Sequence, residues 1–490
     1  MKTNKILDRT KKVFIYTGLI SIPLVFSACN KYLDHLPDQR TELNTPKKVS
    51  ELLVDAYPGG NYITMMESMS DNVVDNFGMG TTDVINTDSY FWKDVESTSQ
   101  DSPNYYWNRA YRAIAAANQA LEACYSAENP DQYRSQIGEA LVARAYAHFM
   151  LVSLYSKFYS PETADVDPGI PYVTEPETVV WKDYERKTVS YVYQQIEKDL
   201  LEGLPLLDDS RYTVPRYHFT QRAAHAFATR FYLFKGEPEN VIKHANLAFP
   251  NGTFLANMRP WPTKYQDITT TELSLIYTQT SQNANLLIAE TTSWWARRFR
   301  TYRYSISANQ RDRIASQTVA GSLNLYRWTI SSGQSYYIRK FSEHFVRSGL
   351  NATTGVGYSM IPLFTTEEVL LSRAEAYALT GDYQASLADL NLFIKQRQTA
   401  SSYVPLTAEK VLEYFETEDL KEALTKSCLQ MRRAEFVHEG LRWFDILRYD
   451  IPVTHRTYTG EEMVLGVNDP RRILQMPAEV VLSGLELNPR

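Results

Sequence analysis

The stretch RRAEFVHEGLRWFDILR, residues 432–448, decides how this chain folds, because its charged and apolar residues both recur at helical spacing. Its charged side chains fall three or four positions apart, which makes them neighbours on successive helical turns: Glu435, Glu439, Arg442, Asp445 and Arg448. Its large apolar side chains can anchor the stretch to a core: Phe436, Trp443, Phe444 and Leu447. The pair His438-Glu439 is not a zinc motif, since no second histidine stands at position 442. We therefore interpret residues 432–448 as structural.

Upstream of this stretch, residues 365–394 predict two helices joined by a glycine turn. Thr365 and Glu368 have the spacing of a capping box, and Gly381 marks the turn. Residues 220–249 have the same order, with Gly236 at the turn. Helix pairs of this kind resemble tetratricopeptide units, which stack because one pair cannot bury its own apolar face.

Three more helices are predicted earlier in the chain, at about 102–121, 137–155 and 190–204. The first begins at Ser102-Pro103, an N-cap followed by proline at the first helical position. The second places apolar residues at steps of three and four between Ile137 and Tyr155. We expect a helical scaffold over about 102–249 and 363–448.

The rest of the chain reads as loop-rich, apart from one short helix near Val49–Ala56. Residues 61–101 lack sustained periodicity and are rich in Asp, Asn, Ser and Thr, which predicts a long functional loop. Residues 250–362 predict a loop-rich section with a few strands, at Leu273–Tyr277, Asn285–Ala289 and Tyr336–Phe341. The predicted fold class is mainly α, with a loop-rich variable face carrying a few short strands.

The N-terminus predicts export with a lipid anchor. Five basic residues precede an apolar run, Val13 to Phe26, that is too short to span a bilayer. Ser27-Ala28-Cys29 follows it, so we predict a signal peptide over 1–28 and acylation of Cys29. Acyl chains on Cys29 would hold the protein at a membrane.

Charge and cysteine content exclude several classes of partner and site. The formal charge is −6, and it becomes −10 once residues 1–28, with five basic residues and one acidic, are removed. An acidic chain argues against nucleic acid and against basic adhesion to lipid. We expect Cys124 and Cys428 to be buried free thiols, with one disulfide as the alternative in an exported protein. No cysteine–histidine cluster has zinc spacing.

Several segments together resemble the SusD/RagB family, in order along the mature chain. They are Cys29–Pro37, Trp107–Ala120, Glu139–Tyr146, Gly169–Tyr172, Leu371–Tyr377, Arg432–Arg448, Leu474–Glu479 and Leu487–Pro489. The resemblance implies one SusD-like domain over 29–490, with tetratricopeptide-like helix pairs as its scaffold. It also implies a lipid-anchored protein on the cell-surface side of the outer membrane, partnered with a SusC-like TonB-dependent transporter. Its loops would capture an oligosaccharide, without catalysis.

The ligand candidates come from the loop-rich segments, because sugar rings stack on aromatic faces and polar groups fix their hydroxyls. The aromatic candidates are Trp92, Trp294, Trp295, Trp328 and Tyr90. The polar candidates are Asp71, Asn72, Asp75 and Asn76.

Other functions stay open at this stage. The same architecture could capture peptides, as RagB-type members do, or serve only as a scaffold for protein binding. A glycoside hydrolase needs two carboxylates, and 57 acidic residues do not exclude one. No nucleophile elbow, phosphate loop or His-Glu-x-x-His motif occurs, so we predict no catalytic residues and no cofactor. Asp165 and Asp167 give a weak indication of structural calcium.

Overall fold

Amphipathic helices with local caps form the scaffold of the computed structural model, which describes residues 42–179, 182–323, 327–331 and 333–490. Within these residues, Leu43–Arg490 is one compact unit. The predicted signal peptide 1–28 and the acylation site Cys29 lie outside the described residues.

The first half of the chain is mostly helical. Its helices are α1 (Pro46–Leu53), α2 (Ile63–Met69), α3 (Val84–Tyr90), α4 (Pro103–Tyr125), α5 (Arg134–Tyr155), α6 (Val189–Gly203), α7 (Gln221–Lys235) and α8 (Pro238–Ala248). The Ser102 hydroxyl accepts a hydrogen bond from the Tyr105 amide at 3.2 Å, which confirms the predicted cap of α4. Among the described residues, Pro130–Tyr155 is the one helical segment long and apolar enough to cross a membrane, and its 18-residue apolar window is wholly buried inside the protein.

The second half combines helices with short strands. The helices are α9 (Thr270–Ile276), α10 (Trp295–Arg298), α11 (Ala308–Ala315), α12 (Thr366–Thr380), α13 (Tyr383–Lys395), α14 (Ala408–Phe415), α15 (Leu420–Glu435) and α16 (Leu441–Arg448). The strands are β1 (Val74–Asp75), β2 (Asn285–Thr292), β3 (Tyr304–Ser305), β4 (Trp328–Ile330), β5 (Tyr336–Ile338), β6 (Glu343–Arg347), β7 (Gly355–Thr365), β8 (Val453–Arg456) and β9 (Glu462–Leu465).

The strands form small antiparallel sheets rather than one large sheet. β2, β7 and β6 make a three-stranded sheet in that order, while β1 pairs with β3, β4 with β5 and β8 with β9. The predicted strand at 285–289 lies within β2, whereas the one predicted at 336–341 forms only over Tyr336–Ile338. The predicted strand at Leu273–Tyr277 is wrong, because Thr269 and Glu272 form a capping box that starts α9 there.

The predicted helix pairs, α7–α8 and α12–α13, are confirmed. Gly236 and Gly381 have left-handed backbones, with φ of 78° and 87°, which glycine adopts without steric cost. A buried ion pair joins the two helix pairs: Arg230 donates to both carboxylate oxygens of Glu368 at 2.6 Å. Only one of the two hydrogen bonds of the predicted capping box forms: the Thr365 hydroxyl accepts from the Glu368 amide and caps α12. The Glu368 carboxylate binds Arg230 instead of the Thr365 amide.

The stretch 432–448 is structural, as its spacing predicts. Arg432 contacts Asp445 at 3.0 Å, and Arg448 contacts Glu375 of α12 at 2.6 Å. All four side chains are at most 5% exposed, so these ion pairs fix α15 and α16 inside the core. Cys124 and Cys428 are both buried free cysteines, which confirms the expectation for them.

The segment predicted as a long loop, 61–101, is more ordered than its composition indicates. It contains α2 and α3, and the side chains of α2 are buried. Seven buried residues in a row leave no alternation for sequence periodicity to detect, which is why the helix was missed.

Candidate functional site

Asp71 and Asn72, predicted to bind ligand hydroxyls, are held by arginines of the scaffold. Both carboxylate oxygens of Asp71 accept from Arg442 at 2.9 Å, and Asn72 accepts from Arg433 at 2.8 Å. Burial opposes ionisation of Asp71, but Arg433 and Arg442 outweigh it and lower the pKa of this carboxyl. These side chains fasten the loop after α2 to α15 and α16. Asn72 is fully buried, which corrects its prediction, whereas Asp71 is 24% exposed and its contact with ligand stays a prediction.

Tyr90 and Trp92 are core residues rather than stacking surfaces. The Trp92 indole donates to the Met69 carbonyl at 3.0 Å, and its ring stacks on His455 at 4.4 Å. Tyr90 is fully buried and stacks on the same imidazole at 4.1 Å. Both are removed from the ligand candidates, because strand β8 covers the ring faces that a sugar would need.

Asn76 and Trp295 are also buried. Asn76 donates to the Ser305 hydroxyl at 2.7 Å, and Trp295 is 3% exposed and stacks on Phe299 at 5.2 Å. Neither side chain reaches the surface, so both predictions are corrected. Trp328 is half-buried beside His438, at 6.1 Å between ring centroids.

Trp294 is not fully buried, so its contact with ligand stays a prediction. It is half-buried, lies over Gly357 of β7 and has the Phe345 ring at 6.2 Å. The Arg297 guanidinium lies 4.6 Å from the Trp294 ring centroid and is held by Glu343 at 2.9 Å. We name Trp294, Arg297 and Phe345 the Trp294 patch.

Asp75 is the polar candidate that organises a surface. Its side chain is covered, and its carboxylate accepts two hydrogen bonds from Arg303, at 2.9 and 2.7 Å. The same carboxylate accepts from the backbone amides of Gly78 and Tyr458, both at 3.1 Å. Asp75 therefore acts as a positioning residue beneath the surface, not as a direct contact for ligand.

Two exposed aromatic residues lie above Asp75 and were not predicted. Phe77 is 74% exposed and Tyr458 is 59% exposed, and the Arg303 guanidinium lies 5.4 Å from the Tyr458 ring centroid. We name Phe77, Arg303 and Tyr458 the Tyr458 patch. The sequence contains a turn signal beside each residue. Phe77 directly precedes Gly78, and Tyr458 lies two residues before Gly460 in the loop that joins β8 and β9.

Backbone hydrogen bonds join the loop beside Phe77 to the segment 294–303. Thr81 donates its amide to Thr301 at 2.6 Å, and Arg303 donates its amide to Thr81 at 3.1 Å. Asp83 contacts Arg298 at 2.7 Å. The loop 77–83 is thus tied to the segment that carries both Trp294 and Arg303.

The chemistry of the two patches suits a weakly polar, ring-shaped ligand. Aromatic faces pack against C–H groups, and guanidinium N–H groups donate to hydroxyls. Arg297 is already oriented by Glu343 and Arg303 by Asp75, so these side chains lose little conformational freedom when a ligand binds.

Metal binding has little support among the described residues. They contain no group of three or more His, Cys, Asp or Glu side chains that could hold a metal ion. Asp167 accepts from Lys157 at 2.6 Å, and Asp165 is exposed. The calcium site at these residues stays a prediction.

Comparisons with known proteins agree with the architecture. Residues 31–233 match a family model described as starch-binding associating with outer membrane, and residues 228–473 match the model of the SusD family. A search of the curated proteins found no match.

Solved structures of the SusD superfamily share the fold. One from Bacteroides thetaiotaomicron VPI-5482 has a TM-score of 0.66 and 19% identity, covering 91% of this chain and 100% of its own. One from Bacteroides vulgatus ATCC 8482 has a TM-score of 0.68 and 18% identity, covering 91% and 99%. A laminarin binding SusD-like protein has a TM-score of 0.55 and 16% identity, covering 91% and 98%. These likenesses confirm the predicted mainly α, SusD-like fold. Because the SusD model alone spans 246 of the 490 residues, the chain belongs to the SusD/RagB family.

Proposed function

We propose that this protein captures oligosaccharide at the Tyr458 and Trp294 patches and delivers it to a SusC-like TonB-dependent transporter. The observation that carries the proposal is the covered carboxylate of Asp75, which holds Arg303 and the Tyr458 backbone in place before any ligand arrives. A surface built in this way binds rings without first ordering its own side chains.

Relatives support a carbohydrate as the ligand. One matching family model is described as starch-binding, and one structural neighbour is a laminarin binding protein. The Asp75 carboxylate beneath the Tyr458 patch is covered and engaged by four donors, so it is not free to serve as the acid, base or nucleophile of a glycosidase. We therefore propose capture without catalysis.

Affinity gel electrophoresis against a panel of polysaccharides tests the ligand. We would use the chain from residue 30 onward, which retains the whole compact unit Leu43–Arg490. Retardation by one polysaccharide should be lost in Tyr458→Ala or Trp294→Ala. It should persist in Tyr125→Ala, because Tyr125 is similarly exposed, at 57%, but lies at the end of α4. No retardation across the panel would count against carbohydrate and favour peptide capture.

The transporter and the lipid anchor need separate tests. A C-terminal affinity tag on the full chain should co-purify a TonB-dependent transporter from detergent-solubilised outer membranes. The Cys29→Ala variant should leave the membrane fraction and become soluble, because it has lost the residue that would carry the acyl chains. A Cys29→Ala protein that stays with the membrane would contradict the anchor.

A further inference from the structure

Two arginines of the helical scaffold, Arg216 and Arg222, line one cavity without a carboxylate partner. Arg216 lies in the 3-10 helix Pro215–Tyr217, and Arg222 lies in the first turn of α7. Both are half-buried, and within the described part of the chain neither guanidinium forms an ion pair or a hydrogen bond. Buried arginines elsewhere in the described residues do have partners. Arg144, Arg230, Arg397 and Arg432 pair with carboxylates, and Arg259 and Arg472 donate to amide or carbonyl oxygens.

This arrangement opposes folding unless something compensates for it. Two guanidinium groups that share one cavity repel each other, and partial burial removes water that would otherwise solvate them. Burial first, and then the charge of Arg222, lower the pKa of Arg216. Acidic residues outnumber basic ones in the sequence, 57 against 51, so a shortage of carboxylates does not explain the missing partner.

The surroundings of the two arginines suit an anion. The cavity has a volume of about 550 Å³, and Thr213, Thr220 and Thr280 also line it. The guanidinium of Arg222 lies over the Phe249 ring at 5.2 Å, and such a cation–π contact uses no N–H hydrogen bond to an oxygen.

The backbone adds further positive potential. Arg222 belongs to the N-terminal turn of a 15-residue helix, where the amide dipoles concentrate positive charge. Among the described lining residues Asp209 is the one carboxylate, and its Oδ1 accepts the Gln221 amide at 2.8 Å. Two guanidiniums and a helix end thus face a single carboxylate, which leaves the cavity positive.

We propose that Arg216 and Arg222 bind a tetrahedral oxyanion, a sulfate or a phosphate group, in this cavity. Guanidinium groups donate paired N–H bonds to such oxygens, and the threonine hydroxyls can supply more. The group could be a free ion, a substituent of a captured glycan or a lipid headgroup. All three present the same oxygens to the arginines.

Isothermal titration with sodium sulfate and sodium phosphate, at ionic strength held constant with sodium chloride, tests the site. Saturable binding of either anion by the chain from residue 30 onward is expected. Affinity should fall about tenfold or more in Arg216→Gln and in Arg222→Gln, because each loses charged hydrogen bonds. Arg211→Gln is the matched control, since Arg211 is 67% exposed and pairs with Asp208. No saturable binding, or equal binding by all four proteins, would overturn the proposal.

A second readout separates anion binding from a structural role. In chloride alone, Arg216→Gln should melt at the same temperature as the unmodified protein or higher, because one of two repelling charges is gone. Sulfate should then raise the melting temperature of the unmodified protein and of Arg211→Gln, but not of Arg216→Gln. A lower melting temperature for Arg216→Gln in chloride would identify Arg216 as structural and contradict the proposal.

Competition against bound sulfate identifies the source of the group. Displacement by dextran sulfate indicates a sulfated glycan, and displacement by phosphatidylcholine vesicles that contain phosphatidic acid indicates a lipid headgroup. Displacement by neither supports a free ion at the proposed site. The probe is inorganic, so failure of glycan capture at the aromatic patches would leave this result unaffected.

Discussion

The carboxylate of Asp75 accepts two hydrogen bonds from the guanidinium of Arg303, at 2.9 and 2.7 Å, across 228 residues of chain. Burial alone would raise the pKa of Asp75, but the bonds from Arg303 and from the Tyr458 and Gly78 amides hold it below its usual range. The side chain of Asp75 is fully covered, whereas that of Arg303 is 23% exposed. An ionised carboxylate beneath the surface therefore fixes an arginine at the surface.

We expect Asp75→Asn to weaken glycan retardation although Asp75 does not reach the surface. Asparagine keeps one accepting oxygen and places an NH2 group where the other stood. Arg303 and one of the two backbone amides, Gly78 or Tyr458, therefore each lose an acceptor. The free energy of unfolding should fall by about 1–3 kcal/mol, as for other lost hydrogen bonds to charged groups. Affinity gels and urea unfolding measure the two effects. Asp94→Asn is the control: Asp94 pairs with Arg490 at the surface and should contribute little. Retained retardation in Asp75→Asn would contradict the positioning role.

Gly357→Ala should displace the Trp294 ring. A Cβ atom at Gly357 would lie 2.6 Å from Cζ3 of Trp294, which is closer than real carbon atoms approach. The indole must move or β7 must shift, and glycan binding through the Trp294 patch should weaken with a change in tryptophan fluorescence. Gly349→Ala provides the comparison, because nothing lies within 4 Å of its added methyl group. Unchanged binding and fluorescence in Gly357→Ala would contradict this account of the patch.

The helical scaffold was predictable because its signals are local. Ser102 caps α4 from the position next to it, and Gly236 and Gly381 end their helices with backbones that glycine favours. Where local signals compete, the prediction failed: the apolar run Leu273–Tyr277 resembled a strand, but the capping box at Thr269 started a helix.

The candidate site was only partly predictable, because distant segments build it. Trp294 and Asp75 were identified as loop residues with suitable chemistry. Tyr458, which completes the Tyr458 patch, is 383 residues from Asp75 in the sequence. Hydrophobic periodicity predicts local structure and cannot reveal a contact between such distant residues. The residues around Trp92 have the composition expected of a binding loop. Its ring is nevertheless stacked on His455, a residue far away in the sequence.

Lys340→Met should destabilise the fold strongly. Lys340 is 1% exposed, and its ammonium group donates to the Glu439 carboxylate at 2.7 Å and to the Glu435 carbonyl at 2.6 Å. Methionine preserves most of the volume but leaves a buried carboxylate without its cation, which costs about 3–5 kcal/mol. Urea unfolding gives this value directly. Lys187→Met, at an exposed pair with Glu185, should change the free energy of unfolding by less than about 1 kcal/mol. Similar losses of unfolding free energy in both variants would contradict the expectation that burial determines how much each ion pair contributes.

Asp101 should make the stability of the protein fall as pH rises towards neutrality. Its carboxyl is buried, accepts from the Ser293 hydroxyl at 2.5 Å and from the Trp294 amide at 2.8 Å, and has a pKa raised to about 7, mainly by burial. In the unfolded chain an aspartate has a pKa of about 3.9. Between these two values the folded state holds a proton that the unfolded state has released, so protonation favours folding and the benefit disappears as pH rises through about 7.

Asp101→Asn isolates this contribution, because asparagine has the shape of the protonated carboxyl and does not titrate. Urea unfolding between pH 5 and pH 8 should show the variant gaining stability relative to the unmodified protein as pH rises, with a slope of up to about 1.4 kcal/mol per pH unit. Glu67, whose pKa burial also raises to about 7, should leave a similar slope in both proteins. The Trp294 amide keeps an acceptor in the variant, so glycan retardation near pH 5 should be unchanged. A stability difference that is constant across this pH range would mean that Asp101 is ionised throughout, and burial would then not govern its protonation.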